Sequence, residues 1–158
     1  MSNTRQFLAE NKREITEKAR KFCAYRERCS TEVLQKLGTL GADKDLAEQI
    51  LGSLMADGYI EDKRFASVFA RSKFNQNHWG KIRIRLELQN RKIKPQDIQS
   101  ALTDIEEDKY LQTLLSLTEK KIYELKGKEN IKEKTAAYLM QKGFESELVW
   151  KTIKELAS

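Results

Sequence analysis

Proline, cysteine and histidine are all scarce in this chain. Its 158 residues include one proline, two cysteines and one histidine. Cys23 and Cys29 lie six residues apart with no second pair, which argues against a disulfide framework and against a zinc site. No glycine-rich phosphate loop and no Ser/His/Asp spacing is present. We therefore expect no catalytic residue, no metal site and no cofactor.

The few residues with reactive side chains have structural interpretations. Cys23 shares an apolar helix face with Ala19 and Phe22, so it is expected in the core. Cys29 lies near a helix end and is expected to be partly exposed, and nothing nearby indicates a lowered thiol pKa. His78 precedes Trp79 in a predicted loop, where a solvated imidazole is expected.

Long apolar runs and strand patterns are missing as well. No apolar stretch approaches the roughly 18 residues that a membrane span needs. The segment from Met1 to Asn11 is polar and lacks the apolar core of a secretory signal. Val, Ile and Thr do not alternate with polar residues, so the pattern is helical nearly throughout. We expect an all-α cytoplasmic protein without membrane contact.

One helical phrase occurs three times. Leu37, Leu88 and Leu139 are spaced 51 residues apart. After Leu88 and after Leu139 the next apolar residues follow at the same steps, whereas the first copy has an insertion at Gly41–Lys44. A period of this length indicates stacked units of a few helices. Such arrays usually present a long surface to another macromolecule.

The recurrence divides the chain into predicted domains. We expect three tandem three-helix repeats in an elongated, curved array: a flexible tail at 1–10, then repeats at 11–60, 61–104 and 105–158. The first helix is predicted from about Asn11 to Arg28. The middle helix of the second repeat is predicted to point Ile82 and Leu86 inward, with Leu88 as a further candidate.

Helix ends are also predicted from sequence. Ser30 is a candidate N-cap, and Asn130 with Glu133 forms a candidate capping pair. Pro95 suits a first helical turn, and Gly58 suits the left-handed residue after a helix. The carboxylates near predicted helix starts are interpreted as caps rather than catalytic groups: Asp43, Asp62 and Asp97.

Positive charge is concentrated in the middle of the chain. The net charge is +6, but residues 63–94 contain ten Lys or Arg and one acid, Glu87. A segment of this kind indicates a surface that faces a polyanion or an acidic protein. Phe74 and Trp79 interleave with these charges, and each has two open interpretations: stacking on a base, or packing between repeats. The candidate binding residues are Arg64, Arg71, Lys73, Lys81, Arg83, Arg85, Arg91, Lys92 and Lys94.

Three passages make the chain resemble the RecX family of RecA regulators. They are the segment from Arg28 to Leu37, the segment Gly58-Tyr-Ile-Glu-Asp-Lys-Arg-Phe-Ala66 with its continuation to Lys73, and Gly80-Lys-Ile-Arg-Ile-Arg-Leu-Glu-Leu88. With Lys142-Gly-Phe144 they cover about residues 18–156. Lys92 departs from the family, which commonly has glycine there, and a left-handed turn costs lysine more than glycine.

The resemblance implies a non-enzymatic modulator. Proteins similar to RecX bind along the groove of the RecA–single-stranded DNA filament, block its extension or promote its disassembly, and so suppress recombinase, ATPase and coprotease activities. For this chain it implies RecA as partner, a monomer, at most weak non-specific DNA contact, and a part in recombination, DNA repair and the SOS response.

Two other classes of function are alternatives to RecA regulation. The three-helix units resemble helix-turn-helix modules, so a stand-alone DNA-binding protein is the alternative, and it would bind duplex DNA without RecA. A small nuclease would need acids clustered around a metal. The basic segment, in which Glu87 is the one acid, does not supply them.

Overall fold

The computed structural model describes residues 2–157, and within that range it contains nine α-helices and no β-strand. The all-α prediction is confirmed. Met1 of the predicted tail and Ser158 of the predicted third repeat lie outside the described residues. The helices are α1 (Ser2–Tyr25), α2 (Ser30–Thr39), α3 (Lys44–Ala56), α4 (Asp62–Asn77), α5 (Lys81–Asn90), α6 (Pro95–Thr103), α7 (Glu107–Glu124), α8 (Ile131–Gln141) and α9 (Ser146–Ala157).

The first helix begins earlier than the sequence predicted. α1 starts at Ser2 rather than near Asn11, and residues 3–10 are exposed. Neither Pro nor Gly interrupts this stretch, and most of its residues are adequate helix formers, so the helix continues outward from its packed half. Whether residues 1–10 are mobile stays a prediction.

Contacts between helices group the chain into two compact units. The first unit comprises the chain up to Phe65 together with Arg91–Ile93, and the second comprises Ala66–Asn90 and the chain from Lys94 onward. The predicted repeat limits fall in the gaps between α3 and α4 and between α6 and α7. The division into three repeats and the curved, elongated array stay predictions.

Helical spacing builds the core of the first unit. On α1 the buried residues recur every four positions, because side chains four apart lie on one helix face. They pack against the buried stripes of α2 and α3. Burial of each large side chain contributes roughly 1.5–3 kcal/mol. The core residues include Ile15, Ala19, Cys23, Val33, Leu37, Ile50 and Leu54.

Three aromatic rings from three helices or their ends meet in the second unit. The Tyr110 ring lies 5.7 Å from Phe74 and 5.3 Å from Phe144, measured between centroids. All three residues are buried. Phe74 therefore packs in the core, which decides between its two interpretations.

The register of α5 differs from the prediction. Ile84 and Leu88 are fully buried, whereas Ile82 is 44 % and Leu86 is 53 % exposed. The expected inward orientation of Ile82 and Leu86 is wrong. Apolar residues alternate along this helix, so two faces are apolar, and contact with neighbouring helices selects the face that carries Ile84 and Leu88.

Some predicted helix ends are confirmed. Asp43 is the N-cap of α3, and its carboxylate accepts the Leu46 N–H at 2.8 Å. Pro95 is in the first turn of α6. Gly58 follows α3 with a left-handed φ of 79°, and the next N–H, that of Tyr59, donates to the carbonyl of Leu54.

Other predicted caps are wrong. Cys29, not Ser30, is the N-cap of α2, and its side chain makes no capping hydrogen bond. Asn130 precedes α8, but its left-handed backbone leaves its side chain without a capping bond, so it forms no capping pair with Glu133. Cys29 is also fully buried, contrary to its expected partial exposure.

Left-handed residues recur with the 51-residue spacing. Gly41 has a φ of 96°, Lys92 of 58° and Gly143 of 100°. Each follows the middle helix of a predicted repeat, where the chain must reverse into the next helix. Lys92 thus adopts the conformation for which glycine is better suited.

Candidate functional site

The nine predicted binding residues are divided between the two compact units. Arg64, Arg91 and Lys92 belong to the first unit. The other six belong to the second: Arg71, Lys73, Lys81, Arg83, Arg85 and Lys94. Each unit therefore contains some of the predicted cations.

Arg64 is held by the protein itself. Its Nε donates to Oε1 of Glu27 at 2.8 Å, and one terminal nitrogen donates to the carbonyl of Gly58 at 3.1 Å. The guanidinium also lies 3.6 Å from a Glu61 carboxylate oxygen. With two acids beside it, Arg64 adds little net charge and mainly fixes the chain between α3 and α4.

Arg91 belongs to a cluster of arginines around one carboxylate. Its Nε lies 3.4 Å from Oε1 of Glu32. The second carboxylate oxygen of Glu32 is 3.4 Å from Arg26 and 4.0 Å from Arg28. One acid thus partly neutralises three cations.

Arg28 belongs to the arginine cluster around Glu32, although it was not among the predicted binding residues. It is buried, its Nε donates to the carbonyl of Phe22, and its guanidinium lies 3.7 Å from the centre of the Phe22 ring. Burial, followed by the charge of Arg26, lowers the pKa of Arg28. Its position just after α1 and the aromatic residue six positions earlier were the available sequence signals.

Two predicted cations meet at Trp79 in the second unit. The Arg83 guanidinium lies 4.0 Å from the Trp79 ring centre, and Nζ of Lys73 lies 5.0 Å from it. Trp79 is half-buried and packs edge to face against Phe69. Cations near an indole ring are attracted by its electron-rich face. Trp79 therefore holds two charges in one place.

Lys142 joins this group although residues 63–94 do not include it. It adjoins Gly143, whose backbone contacts the start of α5 at Arg83. Burial, followed by the charge of Arg83, lowers the pKa of Lys142. Its Nζ lies 5.8 Å from the centre of the Tyr138 ring, and that of Lys121 lies 4.3 Å from the same ring. Sequence reasoning missed Lys142 because about 50 residues separate it from the basic segment.

Backbone contacts fix this geometry at the start of α5. The Gly80 N–H donates to the carbonyl of Lys142 at 2.8 Å, and the Ile82 N–H donates to that of Gly143 at 2.9 Å. A Cβ built on Gly80 would stand 2.2 Å from the Gly143 carbonyl carbon, so the two backbones touch. The first N–H groups of α5 are thus satisfied by protein.

The N–H between them has a partner of its own. The Lys81 N–H donates to the hydroxyl of Tyr110 at 3.0 Å, and that hydroxyl donates to Glu145. Burial, followed by the hydrogen bond to Glu145, raises the pKa of Tyr110. Nζ of Lys81 lies 4.8 Å from the Tyr110 ring centre. The charge of Lys81 is therefore fixed beside the same aromatic core.

The other predicted cations remain at the surface. Arg71, Arg85, Lys92 and Lys94 are exposed. Together with Lys73, Lys81 and Arg83 they form no ion pair within 4.0 Å in the part of the chain that the structure describes. Seven of the nine predicted residues thus keep their charge available to a partner.

No set of three or more His, Cys, Asp or Glu side chains in residues 2–157 is grouped to hold a metal ion. His78 is exposed with a left-handed φ of 55°. Burial raises the pKa of both free thiols, Cys23 and Cys29. None of the described helices combines the length and apolarity required to cross a bilayer.

Comparison with family models gives two matches. The model of the second three-helix domain of RecX matches residues 62–102, and that of the third three-helix domain matches residues 107–153. Together they cover more than half of the chain. The first match contains the whole basic segment, residues 63–94, and the second contains Tyr138 and Lys142.

Similar proteins carry the same family name. The regulatory protein RecX of Oceanobacillus iheyensis is 28 % identical over 138 residues, which are 85 % of this chain and 50 % of the relative. That of Bacillus cereus strain G9842 is 26 % identical over 137 residues, 85 % of this chain and 51 % of the relative. The chain thus spans about half the length of these curated relatives.

Solved structures share the fold. The crystal structure of RecX from Lactobacillus salivarius has a TM-score of 0.81 at 25 % identity and covers 94 % of this chain and 98 % of its own. A second crystal structure of regulatory protein RecX, at 24 % identity, also has a TM-score of 0.81, with coverage of 93 % of this chain and 73 % of the other.

Proposed function

This chain belongs to the RecX family, and we propose that it regulates the RecA recombinase by binding the filament that RecA forms on single-stranded DNA. The supporting observation is the set of cations without ion pairs in the second unit. Lys73 and Arg83 lie beside Trp79, and Lys81 lies beside Tyr110. A fixed group of positive charges attracts DNA phosphate or the acidic surface of a protein filament.

The proposed action is mainly inhibitory. Bound in the filament groove, the protein blocks extension of the filament or promotes its disassembly. Recombinase, ATPase and coprotease activities then fall together, because each requires an intact filament with an open groove. Through this effect the chain regulates recombination, DNA repair and the SOS response, as a non-enzymatic monomer of the cytoplasm with weak non-specific DNA contact.

Preformed RecA filaments provide the direct test. The purified protein is added to filaments on single-stranded DNA, and ATP hydrolysis and filament length are followed together. We expect loss of hydrolysis. Loss without shortening indicates groove blocking, and gradual shortening indicates capping. Hydrolysis and length that both stay unchanged at saturating protein would refute the proposal.

A triple charge reversal tests which surface acts. In the variant Lys81→Glu, Arg83→Glu, Arg85→Glu, we expect inhibition of RecA ATPase to weaken at least about tenfold, because three attractive charges become repulsive. The control reverses three exposed lysines elsewhere, Lys132, Lys134 and Lys154, with the same change in net charge. Equal inhibition by a folded triple variant and the control would remove this surface from the mechanism.

The helix arrangement disfavours a stand-alone duplex-binding protein. A helix-turn-helix module reads bases with the N-terminal residues of its recognition helix. The third helix of the predicted second repeat, α6, contains no Lys or Arg. The start of α5 is also covered, since Gly80 and Ile82 donate to carbonyls at the end of α8. Neither helix is suited to enter a major groove.

A further inference from the structure

The starts of α2 and α5 are held in the same way in their respective units. Ser30 and Lys81 are 51 residues apart, and each gives its backbone N–H to a side chain from a later helix. The Ser30 N–H donates to Asp62 at 2.8 Å, and the Lys81 N–H donates to Tyr110 at 3.0 Å. The two docking arrangements are therefore equivalent copies within the repeat.

The next residue in each helix continues the equivalence. The Thr31 hydroxyl donates to the carbonyl of Arg91 at 3.0 Å, and the Ile82 N–H donates to the carbonyl of Gly143 at 2.9 Å. Thr31 and Ile82 are again 51 residues apart, and Arg91 and Gly143 are 52 apart. In both places, the residues that follow one middle helix thus hold the start of another: those after α5 hold α2, and those after α8 hold α5.

The charges at these two places are different. In the first arrangement Glu32 lies 3.4 Å from Arg91, an attractive pair. The residues 51 positions further along are Arg83 and Lys142, which carry the same sign. Burial, and after it the positive charge of Arg83, lowers the pKa of Lys142. The first arrangement thus pairs an acid with a cation, whereas the equivalent positions of the second arrangement both hold cations.

No acid of the described residues forms an ion pair with either cation. Neither Arg83 nor Lys142 lies within 4.0 Å of a carboxylate oxygen in residues 2–157. Both are only partly exposed, so their repulsion is screened less than that of fully solvated charges. Lys73 adds a third positive charge at Trp79. An external anion would relieve the repulsion.

We propose that Arg83 and Lys142 together bind a phosphodiester group of single-stranded DNA. A guanidinium donates two parallel hydrogen bonds to a phosphate, and an ammonium beside it adds a point charge. The half-buried rings of Trp79 and Tyr138 lie next to these two cations. Sites for single-stranded nucleic acid combine phosphate-binding cations with aromatic rings, whereas an acidic protein surface does not require the rings. The inference rests on the proposed function, since it supplies the DNA contact of that same surface.

Arg83→Glu is the decisive variant because it recreates the pairing of the first copy. It gives positions 83 and 142 opposite charges, as at the equivalent positions Glu32 and Arg91. The loss of the Trp79 contact is offset by this new pair, so the melting temperature should stay within about 2 °C of the parent protein. Arg83→Gln loses the Trp79 contact and gains no pair, so it should melt at or below Arg83→Glu.

The affinity for single-stranded DNA is expected to rank the two variants in the opposite order to their melting temperatures, with Arg83→Glu below Arg83→Gln. Binding of fluorescein-labelled oligo(dT) of 30 nucleotides is measured by anisotropy over a range of salt concentrations. We expect Arg83→Gln and Lys142→Gln each to weaken binding about tenfold, and Arg83→Glu to weaken it further. Loss of both contacts should reduce the slope of log K against log salt by about 0.7, because the pair neutralises one phosphate of the single strand. Arg85→Glu, an exposed residue of the same helix, is the control with the same charge change and should bind more tightly than Arg83→Glu.

Three outcomes overturn the inference. One is equal oligo(dT) affinity for Arg83→Glu and Arg85→Glu. Another is an oligo(dT) affinity that changes across the variants only in parallel with their melting temperatures, which would assign the pair a structural role. The third is unchanged oligo(dT) binding with lost inhibition of RecA ATPase, which would assign the pair to an acidic RecA surface and leave the proposed function standing.

The converse result separates the two proposals. If the variants lose oligo(dT) binding but inhibit RecA ATPase like the parent protein, the phosphate site is supported and its part in RecA regulation is refuted.

Discussion

Ser30 and Asp62 form a helix cap that joins two helices distant in sequence. The backbone N–H of Ser30 and its hydroxyl donate to the same carboxylate oxygen of Asp62, at 2.8 and 3.1 Å. Asp62 was expected to cap its own helix, α4, but it satisfies the start of α2 instead. The family resemblance lay partly in this Glu-Asp-Lys-Arg passage, and the contact gives its aspartate a structural role.

Removal of the Asp62 carboxylate should destabilise the protein. In Asp62→Ala the Ser30 N–H loses its acceptor, so we expect the free energy of unfolding to fall by about 1–2 kcal/mol. Urea unfolding followed by circular dichroism measures it. Asp45→Ala, at an exposed residue in the first turn of α3, is the control and should cost less. Equal losses in both variants would show that the contact contributes nothing.

The contact between Gly80 and Gly143 should tolerate no side chain. A Cβ on Gly80 would lie 2.2–2.3 Å from backbone atoms of Gly143 and Phe144. Gly80→Ala must therefore displace the start of α5, and we expect a loss of more than about 3 kcal/mol. The matched control is Gly52→Ala within α3, where nothing lies within 4 Å of the added atom. That change should stabilise the protein by about 0.5–1 kcal/mol.

Thermal unfolding measures the melting temperatures of the two glycine variants, and Gly80→Ala should melt below Gly52→Ala. A Gly80→Ala protein that melts at the temperature of Gly52→Ala would contradict the close approach of the two backbones.

Lys92 should be improved by glycine. Its φ of 58° is costly for a side chain and free for glycine. Lys92→Gly is expected to raise the free energy of unfolding by about 0.5–1 kcal/mol. Lys94→Gly, at a φ of −61°, removes the same charge without relieving strain and should be destabilising. A loss of stability on Lys92→Gly equal to that of Lys94→Gly would argue against strain at Lys92.

Both thiols should be protected in the folded protein. Cys23 and Cys29 are buried, and burial raises their pKa, so a thiol reagent at pH 8 should label them slowly until denaturant is added. A group whose folded pKa is raised gives stability that is present below its unfolded pKa and lost as the pH rises. Stability should therefore decline above about pH 8.5.

Cys29→Ala tests the origin of that decline. Removal of one buried thiol should make the loss of stability with pH less steep, as read from urea midpoints between pH 7 and 10. Rapid labelling of both thiols in the native protein would contradict their burial.

Several features were predictable because they depend on local chemistry. The absence of alternating strand patterns and the helical apolar spacing predicted the all-α class. The 51-residue period predicted equivalent positions, and the turns at Gly41, Lys92 and Gly143 share a left-handed backbone. The cap at Asp43 and the turn at Gly58 were also predicted, since short-range hydrogen bonds and φ preferences decide them.

The register of α5 was not predictable from the same information. Ile82 and Leu86 form one apolar face, and Ile84 and Leu88 form another. A helix that is apolar on two faces contains no signal for which is buried. The contact with surrounding helices decides it, and the face with Ile84 and Leu88 is covered.

By itself the sequence determined the helical class, the repeat period, the family resemblance and the abundance of positive charge between residues 63 and 94. Only the tertiary structure decided which charges are available. Arg64 and Arg91 lie beside Glu27 and Glu32, whereas Arg83 lies beside Trp79 and has Lys142 as a neighbouring charge. Electrostatic energy depends on distance and burial, and a linear sequence specifies neither for residues that folding brings together.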